Sequence, residues 1–265
     1  MHFKSFTGFA ISALILTLAG CSSQSGVPPV HAAGPTGVKN VLLVHGAWAD
    51  GSSWNQVIAN LNADGYNVTA VQLHLASLDD DVASLQRALA RENGKTILVG
   101  HSYGGVVMTQ AGNDPKVAGL VYVSAYAPDD GESAGSLNTT VAPTPVMNDL
   151  QLDSAGFLTL SSAGVAADFA PDLTQAQQIT IAATQGPISL TGGLMGNVTQ
   201  AAWKSLPSWY VVSSNDHVIS PALEASMAKR MNATTITLQS GHLAMLSHPS
   251  EVTNLIETAA ASLQP

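Results

Sequence analysis

TILVGHSYGGVVMTQAG, residues 96–112, joins two residue patterns through a run of glycines. Thr96 to Val99 suit a buried strand. Gly100-His101-Ser102-Tyr103-Gly104 then turns sharply, and the residues that follow, to Ala111, suit a helix. A serine on an ordinary surface loop needs no such setting. G-x-S-x-G between a strand and a helix is the pattern of a nucleophile elbow, which strains the serine backbone and lifts its Oγ clear of the sheet. The bare pattern arises often by chance, so its flanks give it weight. Glycine is needed at 100 and 104 because a side chain there would collide with neighbouring backbone. Gly105 lets the helix pack close to the sheet. The helix start points free N–H groups and its positive end at the reaction centre.

Outward from this stretch, apolar runs alternate with helical patterns. Val41–Val44, Tyr66–Leu73, Thr96–Gly100, Val117–Ser124, Ser208–Ser213 and Thr234–Leu238 read as six core strands. Trp54, Val57, Ile58 and Leu61 recur on one helix face, with Ser53 and Gln56 as a capping box and Gly65 as the stop. Ser77 and Asp80 cap a second helix carrying Leu78, Val82, Leu85 and Leu89. Pro221 opens a helix at about 221–231, and Val252, Leu255, Ile256 and Ala259 mark the last one. The expected fold is α/β: a mostly parallel sheet of about six strands with helices on both faces. Residues 129 to about 206 hold no clear strand and are too long for a plain loop. A small cap of short helices over the carboxyl ends of the strands fits better, where open α/β sheets bind ligands.

A serine hydroxyl needs a base to take its proton, and in this chain order the base comes last, after an acid. Ser240-Gly241-His242 follows the final strand, so His242 is the candidate base. Trp209 to Val212 runs into Ser213-Ser214-Asn215-Asp216, so Asp216 is the candidate acid, with Asp129 or Asp130 as rivals. Asp216 would hold the imidazole in one tautomer and stabilise its cation. The oxyanion donors are expected from the N–H of Tyr103, just after the nucleophile, and of Ala47, in the loop after the first strand. Trp48, His101 and Leu243 are the candidate pocket residues. Leu150, Leu152, Phe157, Leu158, Leu160, Leu194, Met195 and Trp203 could add apolar lining, although most are expected simply to hold the cap on its base.

Composition narrows the function classes. Of 265 residues, 46% are hydrophobic and 10% charged, which suits one compact domain and no disordered tail. The formal charge is −9 with no basic cluster, so nucleic acid is not an expected partner. No clustered His, Cys or carboxylate spacing implies a metal, and no cofactor is implied. Gly8 to Leu18 is an apolar run too short to span a bilayer but suited to a signal peptide. Leu18-Ala19-Gly20-Cys21 then resembles a bacterial lipobox, with Cys21, the single cysteine, as the lipid anchor. Residues 1–21 are therefore expected to be a lipoprotein-type signal peptide, 22–37 a flexible tether and 38–265 the α/β domain, with the cap at about 129–206. An ordinary signal peptide cut after Ala32 is the alternative. Either way the chain is expected in the bacterial cell envelope, lipid-anchored or else secreted or periplasmic.

Together VLLVHGAWADGSSW, LVGHSYGGVV, VVSSNDHVISP and SGHLAMLSHP resemble the α/β-hydrolase superfamily, from about residue 40 to 262. The missing early strands and YAPDDGES, from Tyr126, resemble the branch of plant methyl-ester hydrolases, hydroxynitrile lyases and bacterial esterases. That resemblance implies a triad of Ser102, Asp216 and His242, with Ala47 and Tyr103 as oxyanion donors. Hydroxynitrile lyases of this type carry a threonine where this chain has Gly46 and a lysine where it has Leu243. Hydrolysis of a small to medium neutral carboxylic ester, through an acyl-enzyme, is therefore the expected activity. A lyase or cofactor-free perhydrolase of the same fold, or a non-catalytic binding protein, is the alternative. Between Glu132 and Lys204 lie four acidic residues and no Arg or Lys, so no cationic clamp for an anionic substrate is expected there.

Overall fold

A computed structural model describes His2 and residues 34–265. The expected leader, with Cys21, and the tether up to residue 33 lie outside the described residues, His2 apart. The apolar runs form β1 (Asn40–Val44), β2 (Asn67–Val71), β3 (Thr96–Ser102) and β4 (Val117–Ala125). Every residue of β1 and β3 is buried, as continuous apolar strands require when both faces are covered. Between these strands run α1 (Asn55–Ala63), α2 (Leu78–Arg91) and α3 (Gly104–Ala111). Beyond β4 come α4 (Ala134–Asn138), β5 (Leu150–Leu152), β6 (Phe157–Leu160), α5 (Ser162–Gly164), α6 (Gln175–Thr184) and β7 (Ile188–Ser189). The chain then returns through β8 (Ser208–Ser213), α7 (Pro221–Arg230), β9 (Thr234–Leu238), α8 (Ala244–Ser247) and α9 (Pro249–Ser262).

The main sheet has six strands in the order β2-β1-β3-β4-β8-β9, all parallel. Its helices cover both faces, with α1 against α9 and α2 against α3. Strand order reverses between β1 and β3, which opens a crevice at their carboxyl ends. Val44 pairs with Gly100 there, so the loop after β1 and the elbow after β3 start side by side. Asp216 follows β8 and His242 follows β9, on the same edge.

Two local expectations are corrected. Ser53 and Gln56 do not cap α1; Asp50 caps a 3-10 turn over Gly51–Trp54 by accepting the Ser52 N–H at 2.7 Å, and α1 continues from it. The cap is not all helical: β5, β6 and β7 form a three-stranded antiparallel sheet. These strands are two to four residues long, too short for a period-2 pattern to emerge. Their turn is set by Asp153, whose Oδ1 accepts from Ala155 N and Phe157 N at 2.8 and 2.9 Å, and by Gly156 at φ +86°. Among the described residues, no helix is long and apolar enough to cross a membrane.

Gly105 is where α3 approaches the sheet most closely. A Cβ there would run into Tyr126 O and come within 3.0 Å of the Ala125 Cβ. Gly105→Ala is therefore expected to lower stability by about 1–3 kcal/mol, read as a lower urea midpoint with an unchanged slope.

Candidate active site

Ser102 sits at φ +51°, in the left-handed region that a non-glycine residue occupies only at a cost of order 1–3 kcal/mol. Its surroundings enforce that geometry. A Cβ at Gly104 would meet the carbonyl oxygens of Val44 and His45, and one at Gly46 would lie 2.6 Å from the Ser102 Cβ. Tyr126 N donates to Ser102 O at 3.2 Å. Ser102 is thus pressed against the loop after β1 and lines a cavity of about 540 Å³ beneath the cap.

The turn after β8 presents Asp216, and the loop after β9 presents His242. Asp216 Oδ1 accepts from Val218 N at 2.6 Å and Ile219 N at 3.0 Å. Its other oxygen, Oδ2, lies 2.6 Å from His242 Nδ1, with both side chains fully buried. A proton on Nδ1 satisfies that contact, which leaves Nε2 as the basic nitrogen. Nε2 is buried and has no hydrogen-bond partner among the described residues. Ser102 Oγ and His242 Nε2 therefore make no hydrogen bond to each other in this structure. His101, next to the serine, brings the two loops together. Its Nε2 lies 3.0 Å from His242 O, and the two rings are 4.6 Å apart. Burial, then the neighbouring His242, holds His101 well below the usual imidazole range, so it serves as a neutral donor. The rival acids lie elsewhere: Asp129 and Asp130 both pair with Lys204, and Asp130 Oδ1 accepts from Ala201 N at 2.7 Å.

Ala47 and Tyr103 line the same cavity as Ser102, and neither backbone N–H donates a hydrogen bond among the described residues. Both are held from behind. His45 Nδ1 lies 2.8 Å from Gly46 O while its Nε2 accepts from Leu73 N at 3.0 Å, which fixes one neutral tautomer. Burial lowers its basicity accordingly. The Tyr103 hydroxyl donates to Asp81 Oδ2 at 3.1 Å, and Asp81 Oδ1 accepts from His74 N and Leu75 N at 2.7 and 3.0 Å.

The three candidate pocket residues separate. Trp48, at φ +57°, lines the Ser102 cavity and is bound to the cap through Nε1–H to Leu158 O at 2.9 Å and N–H to Gly186 O at 3.3 Å. His101 does not line it: its ring is fully buried against His242 and Trp54. Leu243 faces an adjoining cavity of about 330 Å³, on the far side of Trp48, with Phe169 and Gln177. Of the candidate cap residues, Leu150, Leu158, Leu194 and Met195 line the Ser102 cavity. Leu160 is core, Leu152 is exposed, and Trp203 donates to Pro128 O.

Other residues of the site carry no sequence signal. Asp168 holds His217 Nδ1 at 3.0 Å, Phe169 packs 5.4 Å from the His242 ring, and Asp172 Oδ2 accepts from Gly241 N at 2.8 Å. One cap segment thus grips both the acid and the base loops. Nothing in its spacing marks it. Asp81 and Glu224 are buried acids in the first turns of α2 and α7, where acidic residues are favoured whether or not they are buried.

Comparison with known proteins agrees with the fold. Residues 41–255 match the family model described as "Alpha/beta hydrolase family". A carbendazim hydrolyzing esterase of Nocardioides is 35% identical over 121 residues, 40% of this chain and 50% of that protein. Methylesterase 10 of Arabidopsis thaliana is 26% identical over 248 residues, 82% of this chain and 88% of that protein. The solved structure of polyneuridine aldehyde esterase superposes with a TM-score of 0.74 at 21% identity, covering 84% of this chain and 99% of that one.

The Tyr103–Asp81 contact is testable through stability alone. Tyr103→Phe leaves a buried carboxylate oxygen without a donor, and urea unfolding is expected to show a loss of about 1–3 kcal/mol. An unchanged midpoint would mean that the hydroxyl does not hold Asp81.

Proposed function

This chain belongs to the alpha/beta hydrolase family, and we propose that it is a serine esterase acting on neutral carboxylic esters. The observation that carries the proposal is the buried His242–Asp216 contact, tied through His101 to the elbow that holds a strained serine. Ser102 Oγ attacks the ester carbonyl and gives its proton to His242 Nε2. Asp216, held by two backbone N–H groups, stabilises the imidazolium. Negative charge on the carbonyl oxygen develops against the Ala47 and Tyr103 N–H groups, each worth about 2.7–4 kcal/mol at such a site. The carbon–oxygen bond to the alcohol breaks as His242 returns the proton to it. Water, deprotonated by the same imidazole, then releases the acid and restores Ser102.

The cavity supports a neutral substrate. Among the described residues no charged side chain lines it, and its walls include Val141, Val146, Leu150, Leu158, Leu194 and Met195. An anionic acyl group would be desolvated there without a partner. Methylesterase 10 and the carbendazim hydrolyzing esterase are named as esterases, which supports ester cleavage here. The absence of a threonine at Gly46 and a lysine at Leu243 favours hydrolysis over cyanohydrin cleavage.

Export belongs to the same proposal. The sequence Leu18-Ala19-Gly20-Cys21 supports cleavage before Cys21 and attachment to a membrane of the bacterial envelope through lipid on that residue. Mass spectrometry of the mature protein is expected to show an N-terminal peptide starting at Cys21 with added acyl mass. An unmodified N-terminus at residue 33 would overturn the anchor.

A fluorophosphonate probe is expected to label the wild type and not Ser102→Ala. Asp216→Asn is expected to lower kcat on a p-nitrophenyl ester by about 10⁴-fold, because it favours the wrong imidazole tautomer. Neutral acyl chains are expected to be cleaved faster than chains of equal length ending in a carboxylate. No labelling of folded protein would favour a non-catalytic binder. Labelling without turnover of any ester would favour a lyase or perhydrolase.

A further inference from the structure

Glu224 is a buried acid that the proposed mechanism leaves unused. It lies in α7, is fully buried, and its carboxyl group is within hydrogen-bonding reach of Asp216. Two carboxylates cannot both be ionised side by side in an apolar interior without a cation between them. The groups around Glu224 supply none. The Tyr126 hydroxyl donates to Asn138 Oδ1, and the Tyr210 hydroxyl donates to Ala125 O. The His242 Nδ1 contact is taken by Asp216. Arg230, on the same helix, pairs with Glu132 and donates to Ala127 O.

Donor counting decides which acid carries the charge. Asp216 receives two backbone N–H groups and the imidazole, three donors in all. Glu224 receives one, the Ser213 N–H on Oε2 at 2.8 Å, and its Oε1 is buried without any donor. An oxygen with no donor is best satisfied by carrying a proton and donating it. Asp216 is the acceptor within reach.

We propose that Glu224 holds a proton at neutral pH and donates it as a hydrogen bond to Asp216, acting as a positioning residue for the His242–Asp216 pair. Burial, then the Asp216 charge, pushes the Glu224 carboxyl well above its usual range. The brace extends to both loops. Glu224 pins Ser213, whose carbonyl accepts from Asp216 N at 3.3 Å and whose Oγ lies 2.8 Å from Ser240 Oγ, two residues before His242. An additional donor on Asp216 also restrains how strongly it favours the imidazolium.

The catalytic part of this inference rests on the esterase reading; the proton itself does not. Folding must take up one proton at Glu224 above the pH where glutamate ionises in the unfolded chain, roughly 4.3. That contribution is full below that pH and is lost as pH rises towards the folded-state value. Glu224→Gln keeps both hydrogen bonds, with its amide N–H donating to Asp216, and needs no proton. Urea unfolding of the two proteins from pH 5 upward is expected to shift in favour of the glutamine variant by about tenfold in unfolding constant per pH unit, until Glu224 itself ionises in the folded protein. A gap that stays constant with pH overturns the proton. On a p-nitrophenyl ester, Glu224→Leu is expected to move the acid limb of the kcat/KM profile to higher pH and lower kcat, with Glu224→Gln restoring both towards wild type. Leucine and glutamine variants that share the wild-type profile overturn the positioning role. An inactive protein would end the esterase reading while leaving the unfolding result intact.

Discussion

The contact between His242 and Asp216 is the constraint on which the rest of the site depends. It joins the turn after β8 to the loop after β9 in a place fully closed to solvent. Neither group is tolerable there alone: an unpaired buried carboxylate is costly, and a free imidazole could turn to either tautomer. Paired, they leave one basic nitrogen, and the position of His101 beneath the His242 carbonyl sets its distance from the elbow. The parallel sheet makes this possible by ending β3, β8 and β9 on one edge, so residues far apart in the chain meet without any long-range loop.

The cap is part of this arrangement rather than a lid laid over it. Trp48 is hydrogen-bonded to β6 and to Gly186, while Asp168, Phe169 and Asp172 reach the loops that carry the acid and the base. Trp48 and Leu158, which wall the Ser102 cavity, therefore also hold the Ala47 loop, while Phe169 and Asp172 hold the His242 loop. Trp48 lines two cavities, and at its positive φ its indole N–H and its backbone N–H both donate to the cap.

How much of this is legible in the sequence follows from the length scale of each signal. Six strands could be read because each is a run of five to nine residues, apolar or rich in β-branched side chains, between helices with a clear period. The candidates Ser102, Asp216 and His242 could be named because strand ends in a parallel sheet face one edge, whatever lies between them. The cap sheet could not, since its strands are shorter than the pattern that would reveal them, and Asp153 rather than a turn dipeptide shapes the hairpin. Asp81 and Glu224 were hidden by their position in first helical turns. Only its place beside Leu223 and three residues before Met227, both buried on α7, distinguishes Glu224 from a solvated acid. His101 and Leu243 adjoin the site in sequence but turn away from its cavity, because neighbours in a chain do not share a direction.

The central claim is that Ser102, His242 and the two free N–H groups act on one carbonyl. A crystal structure of the protein after reaction with a neutral alkyl phosphonate tests it most directly. The account predicts phosphorus bonded to Ser102 Oγ, the phosphoryl oxygen accepting from Ala47 N and Tyr103 N, and His242 Nε2 within hydrogen-bonding distance of a phosphonate oxygen or Ser102 Oγ. A phosphoryl oxygen turned away from both N–H groups, or an imidazole that stays out of reach of the adduct, would contradict it.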